Sequence, residues 1–274
     1  MRRRALLGAF ATVCAGVGAA RGAVPLELRG ALTQGGLVFA RAPAGAAARL
    51  DGRGLRVGAD GRFAFGFGRD HAPEAELEIA LPDGARETRR LAIARRVYDI
   101  QRIEGLPPRM VEPSEAEMAR IKADNEAIAA ARAVHTPQAW WDTEWIWPVI
   151  GRISGVYGSQ RILNGQPRRP HFGVDVAMPA GTPVVAPAPG VVSLAAADMY
   201  FTGGTLMIDH GHGVASLYAH LSALDAALGR RVAKGERIGA IGATGRVTGA
   251  HLHWGMTWQS VHVDPGLVVP PMPG

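Results

Sequence analysis

Glycine and proline interrupt this chain too often for long regular elements, with 36 glycines and 19 prolines among 274 residues. That density predicts many tight turns between short strands and argues against a bundle of long helices. From Val24 to about Tyr98 the runs alternate with period two. Phe63, Phe65 and Phe67 fall on one strand face, and Leu77, Ile79 and Leu81 on the next, because successive strand side chains point to opposite sides. Asp51-Gly52, Asp60-Gly61 and Asp83-Gly84 supply the positive φ angles of hairpin turns. About six strands in this space predict a small β-sandwich-like accessory domain over 24–98.

The segment 99–145 changes texture. Pro107, Pro108 and Pro113 break regular structure, and Ser114 with Glu117 three residues on forms a capping-box pattern that opens a helix running to about Val134. Met118, Ile121 and Ile128 give that helix a narrow apolar stripe, as expected of a linker lying on a neighbouring domain. Trp140, Trp141, Trp145 and Trp147 follow. They read as a packing seam in preference to a sugar-stacking platform, because large aromatics tend to be buried. Residues 146–274 return to short Val/Ile/Leu runs bounded by Gly and Pro, the pattern of a second β domain.

The N-terminus reads as an export signal over 1–23. Arg2, Arg3 and Arg4 precede an apolar run from Ala5 to Ala20, shorter than a bilayer span, followed by small residues. Arg3 and Arg4 resemble a twin-arginine signal only weakly, without its flanking residues, so the sequence leaves the export route open. Cys14, the one cysteine, lies inside this run, so the mature chain is expected to have no thiol, no disulfide and no transmembrane segment. The formal charge is +6, and removing the signal's four arginines leaves about +2, too little to argue for nucleic acid.

Seven of the nine histidines lie between 171 and 262. His171 and Asp175 are four apart, and His251 and His253 are two apart. On a strand, positions 251 and 253 project from one face about 7 Å apart, so one ring can bind a metal while the other reaches a ligand on it. Two imidazoles and a carboxylate suit tetrahedral Zn²⁺, with the fourth position left for water. The glycine run Gly239–Gly245 lacks the Lys-Ser/Thr ending of a phosphate loop.

Together, His171-x3-Asp175, then Tyr218-Ala-His220-Leu221-Ser222, then His251-Leu-His253 resemble the three signatures of the lysostaphin/LytM-type zinc metalloendopeptidases, over about residues 146–265. The resemblance implies a groove across an antiparallel β-sheet of the LytM type, with one Zn²⁺ per chain held by His171, Asp175 and His253 and with His220 and His251 as catalytic histidines. It also implies peptidoglycan peptide stems or cross-bridges as substrate and a periplasmic or cell-envelope location. The zinc would lower the pKa of its water towards about 7 and polarise the scissile carbonyl. One of His220 and His251 would take the proton and the other would stabilise the oxyanion, in an order the sequence leaves open.

Asn164 could approach the metal as an inhibitory ligand, although a plain turn residue is the simpler reading. His210 and His212 are expected in a hairpin turn, capping backbone or facing water, and His71, His135 and His262 to be incidental. Two rivals use the same sheet style. An inactive LytM-like activator of cell-wall amidases would have lost ligands, whereas all five polar positions persist here. A lipoyl-type carrier would need a modified lysine at a hairpin tip, and Lys234 lacks the flanking residues that mark one.

Overall fold

The computed structural model describes residues 24–104 and 114–273. The export signal with Cys14, and Pro107, Pro108 and Pro113, lie outside the described residues. Among the described residues no helix is long and apolar enough to cross a membrane.

Seven strands, one more than expected, build the region before Tyr98. They are β1 (Glu27–Gly30), β2 (Leu37–Arg41), β3 (Ala47–Leu50), β4 (Arg53–Leu55), β5 (Arg62–Gly66), β6 (Glu74–Ala80) and β7 (Arg86–Ala92). They form two antiparallel sheets, β1-β2-β5 and β4-β3-β6-β7. The first is covered on both faces, and its register explains how. Leu37 stands opposite Gly66 and Phe39 opposite Ala64, while Val38 faces Phe65 and Ala40 faces Phe63. Opposed residues share a face, so Phe63 and Phe65 point one way and the small Ala64 and Gly66 point the other. On the small side the C-terminal sheet comes very close. A Cβ on Gly66 would stand 2.7 Å from Val263 Cγ1 and 3.3 Å from Trp258 Cβ.

A short strand β8 (Ile100–Ile103) leads to the helix α1 (Glu115–Arg132). Ser114 and Glu117 make both halves of the capping box, as their spacing predicts. The expected apolar stripe is narrower still. Ile121 is buried and Ile128 packs beside Ala131, but Met118 is 51% exposed, because the helix meets its support mainly through its C-terminal half and through polar clamps. Tyr200 N–H donates to Asp124 and Tyr200 O–H to Glu117, each at 2.7 Å.

The remaining strands are β9 (Arg152–Gly155), β10 (Gln160–Leu163), β11 (Gln166–Pro167), β12 (Val174–Ala177), β13 (Pro183–Val185), β14 (Gly190–Met199), β15 (Gly203–Gly211), β16 (Val214–Leu224), β17 (Arg231–Val232), β18 (Arg237–Ile241), β19 (Leu252–Trp258) and β20 (Val261–Val263). Ten of them make one sheet whose main path is β17-β14-β15-β16-β19-β12-β9; β10 and β11 pair instead with β8. Asn164 and Gly165 fill the two-residue turn between β10 and β11, with φ of 48° and 74°. This is the turn role expected of an Asn-Gly pair.

The tryptophans form a seam. Trp141, Trp145 and Trp147 are buried. Trp141 stacks on Phe39 at 5.2 Å, Trp145 meets His210 edge-on at 4.7 Å and Trp147 meets Trp254 at 5.6 Å. Trp140 is half-buried beneath the Arg231 guanidinium. His210 and His212 accordingly do not face water. Both are buried, because the Trp-bearing segment covers their turn, and they cap backbone carbonyls. His210 Nδ1–H donates to Pro189 O at 2.6 Å, which leaves Nε2 to accept from Ser216 Oγ, itself 2.8 Å from Tyr218 Oη. His212 reaches Pro137 O.

Replacing Trp141 by alanine is expected to destabilise the fold by about 3–5 kcal/mol, measured by urea unfolding. Burial holds His210 at about 4, against 6.5 for the free side chain. The unfolded chain therefore binds a proton more readily between those values. His210 stabilises fully above about pH 6.5, and its contribution is lost as pH falls towards 4, by up to about 3 kcal/mol. Unfolding free energies at pH 7 and 4.5 should show this slope, and His210→Gln should flatten it.

Candidate metal centre and active-site groove

Strand register brings the five predicted residues together. Asp175 of β12 stands directly opposite His253 of β19, and His253 opposite Ala219 of β16. Asp175 and His253 thus share one face, and His251, two residues back, shares it by the period of the strand. His171 precedes β12 in a loop clamped by backbone hydrogen bonds, with Gly158 N–H donating to His171 O and His171 N–H to Ser159 O, both at 2.8 Å.

His220 arrives by a different device. Gly204 pairs with Leu221 and Leu206 with Tyr218, so β16 carries one more residue than β15 in this stretch, which is a β-bulge. His220 lies within it at φ 65°, a left-handed conformation that costs a non-glycine residue about 1–3 kcal/mol. The bulge turns its ring to within 4.8 Å of the His251 ring and 6.2 Å of the His253 ring.

Three donor atoms form a near-equilateral triangle. His171 Nε2 lies 3.0 Å from Asp175 Oδ1 and 3.0 Å from His253 Nδ1, and the last two are 2.9 Å apart. Bonds of 2.0–2.1 Å from a tetrahedral zinc would set such edges at about 3.3 Å, so the spacing fits one small ion with little adjustment. The donor chemistry, two imidazoles and one carboxylate, fits zinc as well. Glycines make the room. A Cβ on Gly155 would stand 2.3 Å from Asp175 Oδ2, and one on Gly173 would stand 2.5 Å from Trp254 O and 2.7 Å from His253 Cε1.

Backbone carbonyls fix the rings. His171 Nδ1 meets Val156 O at 3.0 Å, His220 Nδ1 meets Thr244 O at 3.0 Å and His251 Nδ1 meets Gly249 O at 2.9 Å. A carbonyl oxygen only accepts, so Nδ1 carries the proton in each case and the neutral ring keeps its lone pair on Nε2. Burial pulls His220 down to about 4 against the opposing Thr244 bond, and it pulls His253 down as well. Burial alone would raise Asp175, but the hydrogen bonds and charges of His171 and His253 outweigh it and hold the carboxyl well below the usual range. At neutral pH the site thus offers the Asp175 carboxylate beside a neutral His253, the protonation states that ligation needs.

The sequence reading missed the supporting residues. Thr244 lies in the Gly-rich stretch set aside as a phosphate loop. Besides its carbonyl, it donates from Oγ to Leu221 O and accepts from Gly204 N–H, each at 2.9 Å. A carbonyl orienter leaves no mark in sequence, whereas Gly155 and Gly173 carried a readable signal in the absence of a side chain. His262, expected to be incidental, stacks on Phe172 beside the site, with centroids 4.2 Å apart. His71 and His135 lie away from it, His71 against Phe67 and Asp51 and His135 exposed. Lys234 donates to Glu144 O.

An antiparallel β-sheet that carries a candidate mononuclear metal centre is the class that the fold and site define. Residues 169–265 match the profile of Peptidase family M23. Over 125 residues the chain is 42% identical to the DD-carboxypeptidase/endopeptidase Mpg of Neisseria meningitidis serogroup B, covering 46% of this chain and 29% of that protein. Over 114 residues it is 40% identical to the peptidoglycan DD-endopeptidase ShyA of Vibrio cholerae, covering 41% and 25%. The matched stretches thus span less than a third of these relatives. A putative peptidase M23 from Pseudomonas aeruginosa is similar in structure over 86% of this chain and 94% of its own, with TM-score 0.66 and 28% identity. That likeness extends well beyond the matched peptidase segment. Residues 169–265 of the chain thus form a domain of the peptidase family M23 type.

Gly155→Ala is expected to push Asp175 out of the triangle and weaken zinc binding by about 10–100-fold, read by calorimetric titration of metal-free protein.

Proposed function

We propose that this chain is an exported zinc metalloendopeptidase that hydrolyses peptide cross-links of bacterial peptidoglycan. The observation that carries the reading is the triangle of His171, Asp175 and His253 donor atoms, 2.9–3.0 Å apart, with the rings of two further histidines, His220 and His251, beside it. The names of Mpg and ShyA point to peptidoglycan peptides as the substrate class, and the basic, apolar start of the chain motivates export.

His171, Asp175 and His253 would hold the zinc, leaving a fourth position open. Bound there, zinc supplies Lewis acidity, which lowers the pKa of a water and polarises a carbonyl. His220 and His251, each with its Nδ1 proton tied to a backbone carbonyl, present Nε2 lone pairs to the groove. One ring takes the proton of the attacking water and passes it to the leaving amine. The other, once protonated at Nε2, donates to the developing oxyanion. Burial keeps His220 neutral at physiological pH, which suits the accepting role. The non-enzymatic activator reading has no support in the site, because every donor it would have lost is in place.

His253→Ala is expected to abolish both zinc binding and the release of new amino termini from purified cell walls. His220→Ala is expected to keep zinc but lower the rate by about 10²–10⁴-fold. Hydrolysis that survives in His253→Ala, or in metal-stripped protein, would reject the proposal.

A further inference from the structure

Beside the metal centre lie two cations, Arg132 and Arg169, that form no ion pair among the described residues. Ala131 of α1 belongs to one apolar cluster with Met207 of β15 and Leu217 and Ala219 of β16. In register, Leu217 and Ala219 stand opposite Gly255 and His253. The C-terminal end of α1 therefore rests on the face that carries the candidate ligands, and it brings Arg132 there. Arg132 is half-buried, and its Nε has no hydrogen-bond partner. Across from it, Arg169 Nη2 lies 2.7 Å from His262 Nε2, with the guanidinium 5.3 Å from the centroid of the Phe172 ring. Phe172 and His262 stack at 4.2 Å, nearly parallel at 7°, and Tyr157 O–H holds the His262 carbonyl at 2.8 Å.

Neither arginine has an ion-pair partner among the described residues, which is unusual for a half-buried guanidinium such as that of Arg132. The α1 C-terminus favours a cation at Arg132, but it leaves Nε unsatisfied. Burial, and then the Arg169 charge, pull Arg132 down to about 10, which shows the two cations working against each other. Guanidinium can only donate, so His262 Nε2 accepts from Arg169. Burial and both arginines keep this ring neutral, down to about 3, so Nδ1 is its donor. Two forked guanidinium groups, which can only donate, thus stand beside a stacked aromatic floor. That is the recognition chemistry of a planar anion with two oxygens.

We propose that Arg132 and Arg169, beside the stacked Phe172–His262 pair, form a subsite for a free carboxylate of the peptide substrate. The subsite rests on the endopeptidase reading and narrows it to peptides that carry such a group near the cleaved bond. Thr257, opposite His262, lies four residues along β19 from His253, about 13 Å at the strand rise of ~3.3 Å per residue. An extended peptide covers that distance in about four residues. The carboxylate therefore belongs to a residue within about four positions of the scissile bond, either as the chain end or as a side chain.

The test uses the zinc-loaded full mature chain and a cross-linked stem-peptide dimer prepared from peptidoglycan, in its free-acid form and with its carboxylates converted to amides. Wild type is expected to cleave the acid form with at least tenfold higher kcat/KM. Arg132→Gln and Arg169→Gln should each bring that ratio towards one, and Arg169→Lys should retain part of it. Arg169 is exposed, so Arg169→Gln keeps the test open if Arg132→Gln fails to fold. Equal cleavage of both forms by wild type, or an undiminished ratio in Arg169→Gln, overturns the subsite. If wild type cleaves neither form, it is the endopeptidase reading that fails. Calorimetric binding of the two peptides to metal-free protein then decides the subsite: at least tenfold tighter binding of the acid form, lost in Arg169→Gln, supports it, and equal binding overturns it.

Discussion

The antiparallel pairing of β12 and β19 is the constraint on which the site depends. It puts Asp175 opposite His253, and because strand faces alternate with period two, a slip of one residue would send one of them to the opposite face of the sheet. The consequences run inwards. Val174, Val176, Leu252 and Trp254 are buried on the reverse face, so the register that makes the site is the same register that fills the core. Apolar burial holds polar donors at about 3 Å from one another, an arrangement their own desolvation would oppose.

Strain and support balance around this frame. His220 sits at a positive φ in a bulge, which is unfavourable locally and is stabilised by the fixed partners around it. Its own N–H donates to Thr202 O, its ring Nδ1–H to Thr244 O, and Thr244 Oγ ties two neighbouring strands. Local strain at a reactive residue, over-determined by its surroundings, matches the pattern expected of functional sites. The two N-terminal sheets contribute at a distance. The face that bears Ala64 and Gly66 lets the C-terminal sheet approach closely, and Trp141 closes the seam against Phe39. Residues from both parts belong to one continuous apolar core, so the N-terminal part braces the reverse side of the sheet while α1 lies on the side that carries the histidines.

Much of this was legible in the chain. Turn dipeptides and period-two runs marked the strands, the Ser114/Glu117 pair marked the start of α1, and the tryptophan cluster marked a packing seam. The His171-x3-Asp175, His220 and His251-x-His253 pattern pointed to residues that the fold does assemble. What failed was partnership. His210 and His212 were expected to cap backbone or face water; they cap carbonyls, and nothing near them in sequence announces the Trp141–Trp147 segment that covers them. Met118 looked apolar enough to pack, yet the sheet lies under the other end of its helix.

Sequence by itself determined the inventory: which donors are present, their spacing within each short stretch, and the turn chemistry that sets strand lengths. These are local properties, encoded within a few residues. Tertiary structure alone decided that stretches separated by about 80 residues meet within 3 Å, that carbonyls of Val156, Thr244 and Gly249 fix the imidazole tautomers, and that Arg132 comes to rest near Arg169 and His262. Those outcomes depend on strand register and helix docking, which follow from the simultaneous burial of distant apolar faces and leave no trace in any one window of the chain.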